Sequence, residues 1–154
     1  MALSLLDTDI LSEVLKQKDA QVVRRASEYL AEHGQFAISA MTRYEVVRGL
    51  KDKDATAQLA RFEAFCRHSI VYAITDDILD RTADLWVAGR RQGYPRRDAD
   101  LIMAATALVH DRVLVTGNQD HFTWVLDLTL EDWRERREEG RGGRGEGRGE
   151  KGEE

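Results

Sequence analysis

DADLIMAATALVHDRVLVTGNQDHF, residues 98–122, places carboxylates where a buried helix and a buried strand come to the surface. From Leu101 to Val109 only Thr106 is not apolar, so the helix has hardly any polar face and must be packed on most sides. Its first turn meets water: Asp98 or Ala99 stands near the N-cap, and Asp100 follows where free N–H groups and the helix dipole favour a carboxylate. After His110-Asp111 the run Arg112 to Thr116 has the β-branched character of a buried parallel strand, broken by Gly117-Asn118. Helix, short loop and strand form the second half of an α/β crossover, and ligands collect at the carboxyl ends of such strands. Thr116 to Asp120 occupies one of those ends.

Working outward, Ala2 to Leu6 reads as a strand that stops at Asp7-Thr8-Asp9, and Ile10-Leu11 with Val14-Leu15 has helical spacing. Asp7 therefore sits at a strand's carboxyl end and Asp9 in a helix's first turn, as a dipole partner or a ligand. A helix from about Ala20 to Glu32 stops at His33-Gly34, and Gln35 to Ser39 is a second strand. It runs into a helix from Met41 to Leu50, whose single acid, Glu45, has an ion pair with Arg48 as its plain explanation. Ala55 to Arg67 is a further helix and Ile70 to Ile74 a third strand; Thr75-Asp76-Asp77 caps a long helix to about Arg91, and Gly93-Tyr94-Pro95 breaks the chain. Val125 to Leu128 is expected as an edge strand, and Leu130 to Trp133 closes the domain. Strands alternating with helices predict an α/β fold, a parallel sheet with helices on both faces.

With 154 residues, 42% of them hydrophobic and 33% charged, the chain suits one globular domain, assigned to residues 1–133. Residues 134–154, RERREEGRGGRGEGRGEKGEE, hold seven basic and seven acidic residues and no apolar one. Such a segment cannot offset its ordering entropy by burial and is expected to be a disordered tail, its Arg-Gly content offering at most weak RNA contacts. The net charge of -5 then belongs to the domain, which argues against a protein coated in positive charge for duplex binding. One cysteine, Cys66, excludes an internal disulfide and a cysteine zinc site, and the four histidines lack ligand spacing. A cytoplasmic setting is expected, without a membrane span.

In a parallel sheet Asp7, Asp100 and the Thr116–Asp120 turn share one edge, and Glu45, one turn into the helix after the second strand, points to it. Carboxylates gathered so closely do not all stay ionised without a cation. Oxygen donors with no softer ligand suit Mg²⁺ or Mn²⁺, and such a site suits phosphodiester hydrolysis.

Five motifs stand in order here: LLDTDIL at 5–11, ISAMTRYEVVRGL at 38–50, DADLIMAATAL at 98–108, LVTGNQDHF at 114–122 and LTLEDW at 128–133. Together they resemble the PIN-domain ribonucleases, above all the VapC-type toxins of toxin–antitoxin pairs, over about residues 3–133. The resemblance implies a three-layer α/β/α fold with a short, mainly parallel sheet flanked by helices. It also implies a metal-dependent endoribonuclease acting on RNA, a VapB-like antitoxin that inhibits it, and a homodimer. Family roles fall on Asp7, Glu45 and Asp100 as metal-binding acids, with Thr8 and Ser39 as polar supports. The family's fourth acid lies in or just after the T-x-N turn; Asn118 holds the turn position and His121 the place before Phe122, which leaves Asp120 as the nearby carboxylate.

Two rival readings accompany this one. Asp7-Thr8-Asp9 after an apolar strand suggests a haloacid-dehalogenase-type phosphatase with Asp7 as nucleophile, but Leu11 stands where that family has Thr or Val. The other is a PIN fold without catalysis, kept as an interaction module. Arg43, Arg48, Arg96 and Arg97 are candidates for steering RNA or for plain ion pairs, and His121 for a phosphate contact or for anchoring its own turn.

Overall fold

The structure, a computed structural model, describes residues 1–134, so the expected disordered tail lies outside the described residues apart from Arg134. Among the described residues there are five short strands and six helices, a pair of helices following each of the first three strands. The strands are β1 (Ser4–Leu6), β2 (Ala37–Ser39), β3 (Ile70–Tyr72), β4 (Val113–Val115) and β5 (Leu130–Glu131). The helices are α1 (Thr8–Lys16), α2 (Ala20–His33), α3 (Ala40–Asp52), α4 (Thr56–Arg67), α5 (Asp76–Gln92) and α6 (Asp98–Val109).

All strand pairing is parallel. β4 lies between β1 and β5, with Leu5 opposite Leu114 and Leu114 opposite Leu130. β2 pairs with β3, Ile38 opposite Val71, and this second ladder packs alongside β1. The expected sheet is thus present as two short parallel ladders. Because successive strand residues point to opposite faces, Leu5, Ala37 and Leu114 enter a core with α5 and α6, while Leu6, Ile38 and Val115 enter another with α1, α2 and α4. Three layers follow directly from that alternation.

Most element ends were set by local chemistry. Asp19 caps α2 by accepting from Gln21 and Val22 N–H, and Thr75 caps α5 through Ile78 N–H. Gly34 and Gly93 close α2 and α5 with φ of 83° and 78°. Two expectations fail. The N-cap of α6 is Arg97, without a side-chain cap bond, and Asp98 is the first helical residue rather than the cap. Val125 to Leu128 forms no strand: Val125 N–H bonds back to Phe122 C=O in a turn, Asp127 takes a left-handed φ of 66°, and the edge strand starts only at Leu130. The apolar Val125 that suggested a strand is buried from that turn.

Two helix-interior glycines have opposite surroundings. A Cβ on Gly89 of α5 would lie 2.9 Å from Trp124 Cη2 and 3.1 Å from Arg96 Cγ, whereas one on Gly49 of α3 would meet nothing within 4 Å. Gly89→Ala should therefore destabilise by about 1–3 kcal/mol through overpacking, and Gly49→Ala should stabilise by about 0.5–1 kcal/mol through helix propensity. Urea unfolding of the two variants measures both, and like signs would contradict the packing described.

Candidate active site

The site begins where β1 ends. Asp7 N–H donates to Val115 C=O at 2.9 Å, extending the β1–β4 ladder by one rung and fixing the Asp7 backbone at the carboxyl edge of both strands. Its side chain then serves as the N-cap of α1: Oδ1 accepts from Thr8 N–H at 2.7 Å, and Oδ2 accepts from Thr116 Oγ1 at 2.7 Å. Asp7 is only 6% exposed. Burial pushes its carboxyl from the ordinary 3.8 up to about 6; the Thr116 hydrogen bond opposes this, repulsion from Asp9 adds to it, the Thr8 N–H bond opposes it, and Asp100 adds a last repulsion.

Asp9 was read as a dipole partner, and its Oδ1 does accept from Ile10 N–H at 2.8 Å in the first turn of α1. Its other oxygen reaches across to the turn after β4, accepting from Gly117 N–H at 2.9 Å and Asn118 Nδ2 at 3.4 Å. Arg134, held to Asp132 by Nε and Nη2, packs on the same turn. A Cβ on Gly117 would overlap the Arg134 guanidinium and fall 2.7 Å from Asp9 Oδ2, so a side chain there would displace both groups from the turn.

Glu45 stands one turn into α3 and faces the same edge, accepting from Thr8 Oγ1 at 2.7 Å. The plain ion pair with Arg48 is not formed; the Arg48 guanidinium lies 5.0 Å over the Tyr44 ring. Thr8 supports Glu45 as expected, whereas buried Ser39 caps α3 through Met41 N–H at 3.0 Å. Asp100, in the first turn of α6, has Oδ2 3.2 Å from His121 Nδ1. His121 therefore turns its ring to Asp100, while its carbonyl accepts from Trp124 Nε1 at 2.9 Å. Asp120 is exposed in a 3-10 turn, Gln119–His121, on the far side of Asn118.

Of the arginines, Arg43 is taken by Glu63 through two 2.9 Å bonds that raise its pKa, and it points away from any RNA-steering role. A groove of about 570 Å³ opens beside Thr8 and Glu45, between α1, α3 and α4, with Leu15, Leu50 and Phe62 in its walls.

Asp100 thus lies near enough to Asp7 to raise its pKa, and Glu45 is linked to the residue after Asp7 through the Thr8 hydroxyl. Sequence reasoning missed Thr116 as the partner of Asp7, the Asp9 bridge to the Gly117 turn, and the Asp100–His121 contact. The first two were visible only as a Thr-Gly-Asn turn after an apolar strand; the third joins residues 21 positions apart and leaves no local signal. Among the described residues no three acidic, histidine or cysteine side chains stand close enough together to hold a metal ion.

Comparison with known proteins gives the same address. The PIN domain family matches residues 4–123. Ribonuclease VapC19 of Mycobacterium tuberculosis is 31% identical over 126 residues, which span 82% of this chain and 97% of that protein. Among solved structures, VapBC-1 from nontypeable Haemophilus influenzae matches with a TM-score of 0.75 at 26% identity, covering 86% of this chain and 98% of that one. A toxin–antitoxin complex from Klebsiella pneumoniae matches with a TM-score of 0.64 at 28% identity, covering 82% and 95%. No described helix is long and apolar enough to cross a membrane. Matched in sequence and in fold over most of its length, the chain belongs to the PIN-domain family, with the VapC ribonucleases.

Proposed function

We propose that this protein is an endoribonuclease toxin, hydrolysing phosphodiester bonds in RNA with Mg²⁺ or Mn²⁺ and held inactive by a VapB-like antitoxin. The observation that carries the reading is Asp7, a carboxylate buried at the strand edge with Asp9 and Asp100 raising its pKa. A buried acid repelled by two others is what a cation relieves. In the proposed assignment Asp7, Glu45 and Asp100 bind the ion, and Asp120 is the fourth acid. The fit is one of donor chemistry: every candidate donor is a carboxylate oxygen, which suits a hard divalent ion. When bound, such an ion activates water and stabilises charge on the attacked phosphate. The chain's own residues hold the acids for it: Thr116 and the start of α1 orient Asp7, Thr8 orients Glu45, and His121 orients Asp100.

The groove beside Glu45 supports the partner part of the reading. Leu15, Val46, Leu50 and Phe62 give it an apolar part that fits a partner helix, and Thr8 and Glu45 line it, so a basic side chain from that helix would reach Glu45. A homodimer and a reducing, cytoplasmic setting complete the proposal, the latter fitting the free, buried Cys66.

Ionised Asp7 costs the folded state. Its pKa is higher folded, about 6, than unfolded, near 3.8, so the folded protein binds more protons in that window and stability falls as pH rises from about 4 to 6. At neutral pH the cost is on the order of 3 kcal/mol. In chelator, Asp7→Asn should flatten this fall and melt higher than wild type at pH 7. Magnesium should raise the wild-type Tm and leave that of Asp7→Asn or Asp100→Asn almost unchanged; an equal rise in all three would remove the ion from this site.

Cleavage separates the acids. Asp7→Asn, Glu45→Gln and Asp100→Asn should fold yet lose roughly a hundredfold or more in RNA cleavage, while exposed Asp98→Asn keeps it. Asp120→Asn decides the fourth acid by the same assay. Expressed without a partner, wild type should arrest growth and Asp7→Asn should not. If neither affects growth or total RNA, the inactive-module reading replaces the toxin.

A further inference from the structure

Residues 90–97, RRQGYPRR, span the end of α5 and its link to α6 and carry four arginines, one tyrosine and no acid. In a chain with a net charge of -5 this is a concentrated positive segment, and it directly precedes the turn that holds Asp100. Arg90, Arg91 and Arg97 are exposed, and their side chains make no hydrogen bond or ion pair among the described residues. Arg96 braces the segment instead: Nη1 donates to Tyr94 C=O at 3.0 Å, and the guanidinium lies 5.0 Å over the Trp86 ring. Tyr94 is 40% exposed, and its ring lies parallel to Trp124 with centroids 5.5 Å apart and an 8° interplanar angle. Trp124 in turn donates to the carbonyl of His121, whose ring meets Asp100. An aromatic shelf with free arginines around it is thus tied by two contacts to the acidic edge.

We propose that this segment is a ledge for single-stranded RNA: an unpaired base stacks on Tyr94, continuing the Trp124–Tyr94 stack, while Arg90, Arg91 and Arg97 hold the phosphates that lead to Asp100. A tyrosine face accepts any base and arginines hold phosphate, so the ledge selects unpaired strands over duplex, in which every base is already stacked. The ledge rests on the ribonuclease reading for its purpose, and not for its binding.

The test is equilibrium binding of the full chain, in chelator so that nothing is cleaved, to a fluorescent unstructured RNA 12-mer and to its duplex. Tyr94→Ala should weaken single-strand binding roughly tenfold, leave duplex binding unchanged, and be rescued by Tyr94→Phe. Tyr94→Leu keeps apolar cover on Trp124 without an aromatic face; it should bind like Tyr94→Ala while melting like wild type, which separates stacking from fold. Replacing Arg91 and Arg97 by Gln should lower the salt dependence by about 0.7 per lost phosphate contact. The proposal is overturned if Tyr94→Ala binds single strands as wild type does, or if single-strand and duplex binding fall equally. It is also overturned if Trp86→Ala and Tyr94→Ala alter only the oligomeric state in sedimentation, which would assign the face to a second copy of the chain. Metal-dependent cleavage with wild-type-like Tyr94→Ala sinks the ledge and keeps the nuclease. Tyr94-dependent binding without any cleavage does the reverse.

Discussion

A hydrogen bond of 2.7 Å from Thr116 Oγ1 to Asp7 Oδ2 joins the ends of two parallel strands, and the rest of the site depends on it. A carboxylate removed from water is costly unless its oxygens are satisfied. Here one oxygen receives the first N–H of α1 and the other the hydroxyl of Thr116, both at 2.7 Å. These bonds exist because β1 and β4 are in register, with Leu6 opposite Val115, so that the next residue on each strand meets at the same height. The fold therefore brings Asp7 to its partners before any ion or substrate is considered. Burial still outweighs the two bonds, as the raised pKa of Asp7 records.

Around that centre the carboxylates divide their work. Asp9, two residues on, spends its oxygens on backbone and amide groups of α1 and of the Gly117-Asn118 turn, and so closes one wall. Glu45 and Asp100 each meet a single side chain, Thr8 and His121. A hydroxyl or an imidazole can leave a carboxylate at the cost of one exchangeable bond, whereas a backbone N–H fixed in a turn cannot. Asp9 is therefore held on both oxygens by fixed groups, Asp7 on one by the Thr8 N–H and on the other by the Thr116 hydroxyl, and Glu45 and Asp100 by one movable side chain each.

The sequence made the layers legible because parallel strands buried on both faces are short apolar runs, and helices packed on most sides lack a polar stripe. Asp7 and Asp100 could be placed for the same reason: each follows a break that any reading of Leu6 to Ile10 or of Pro95 to Leu101 must respect. Val125 to Leu128 misled because buried apolar residues in a turn have no periodicity to distinguish them from a strand. Arg97 as the cap of α6 was illegible because capping preferences describe side-chain bonds, and none is made there. His121 and Arg134 acquire their positions only from tertiary contacts, with Asp100 and with Gly117.

β5 runs parallel to β4, so the chain passes Trp133 at the same edge as Asp7, with Arg134 packed on Gly117. The N-terminus is pinned at the opposite end of β1, where the Met1 ammonium meets Glu32 at 2.6 Å. The two ends of the domain are thereby unequal as attachment points. A label, tether or fusion joined after Trp133 starts beside the Gly117 turn, while one joined ahead of Met1 starts at the other end of β1, so the shorter the linker, the more the two differ in reach to the acids.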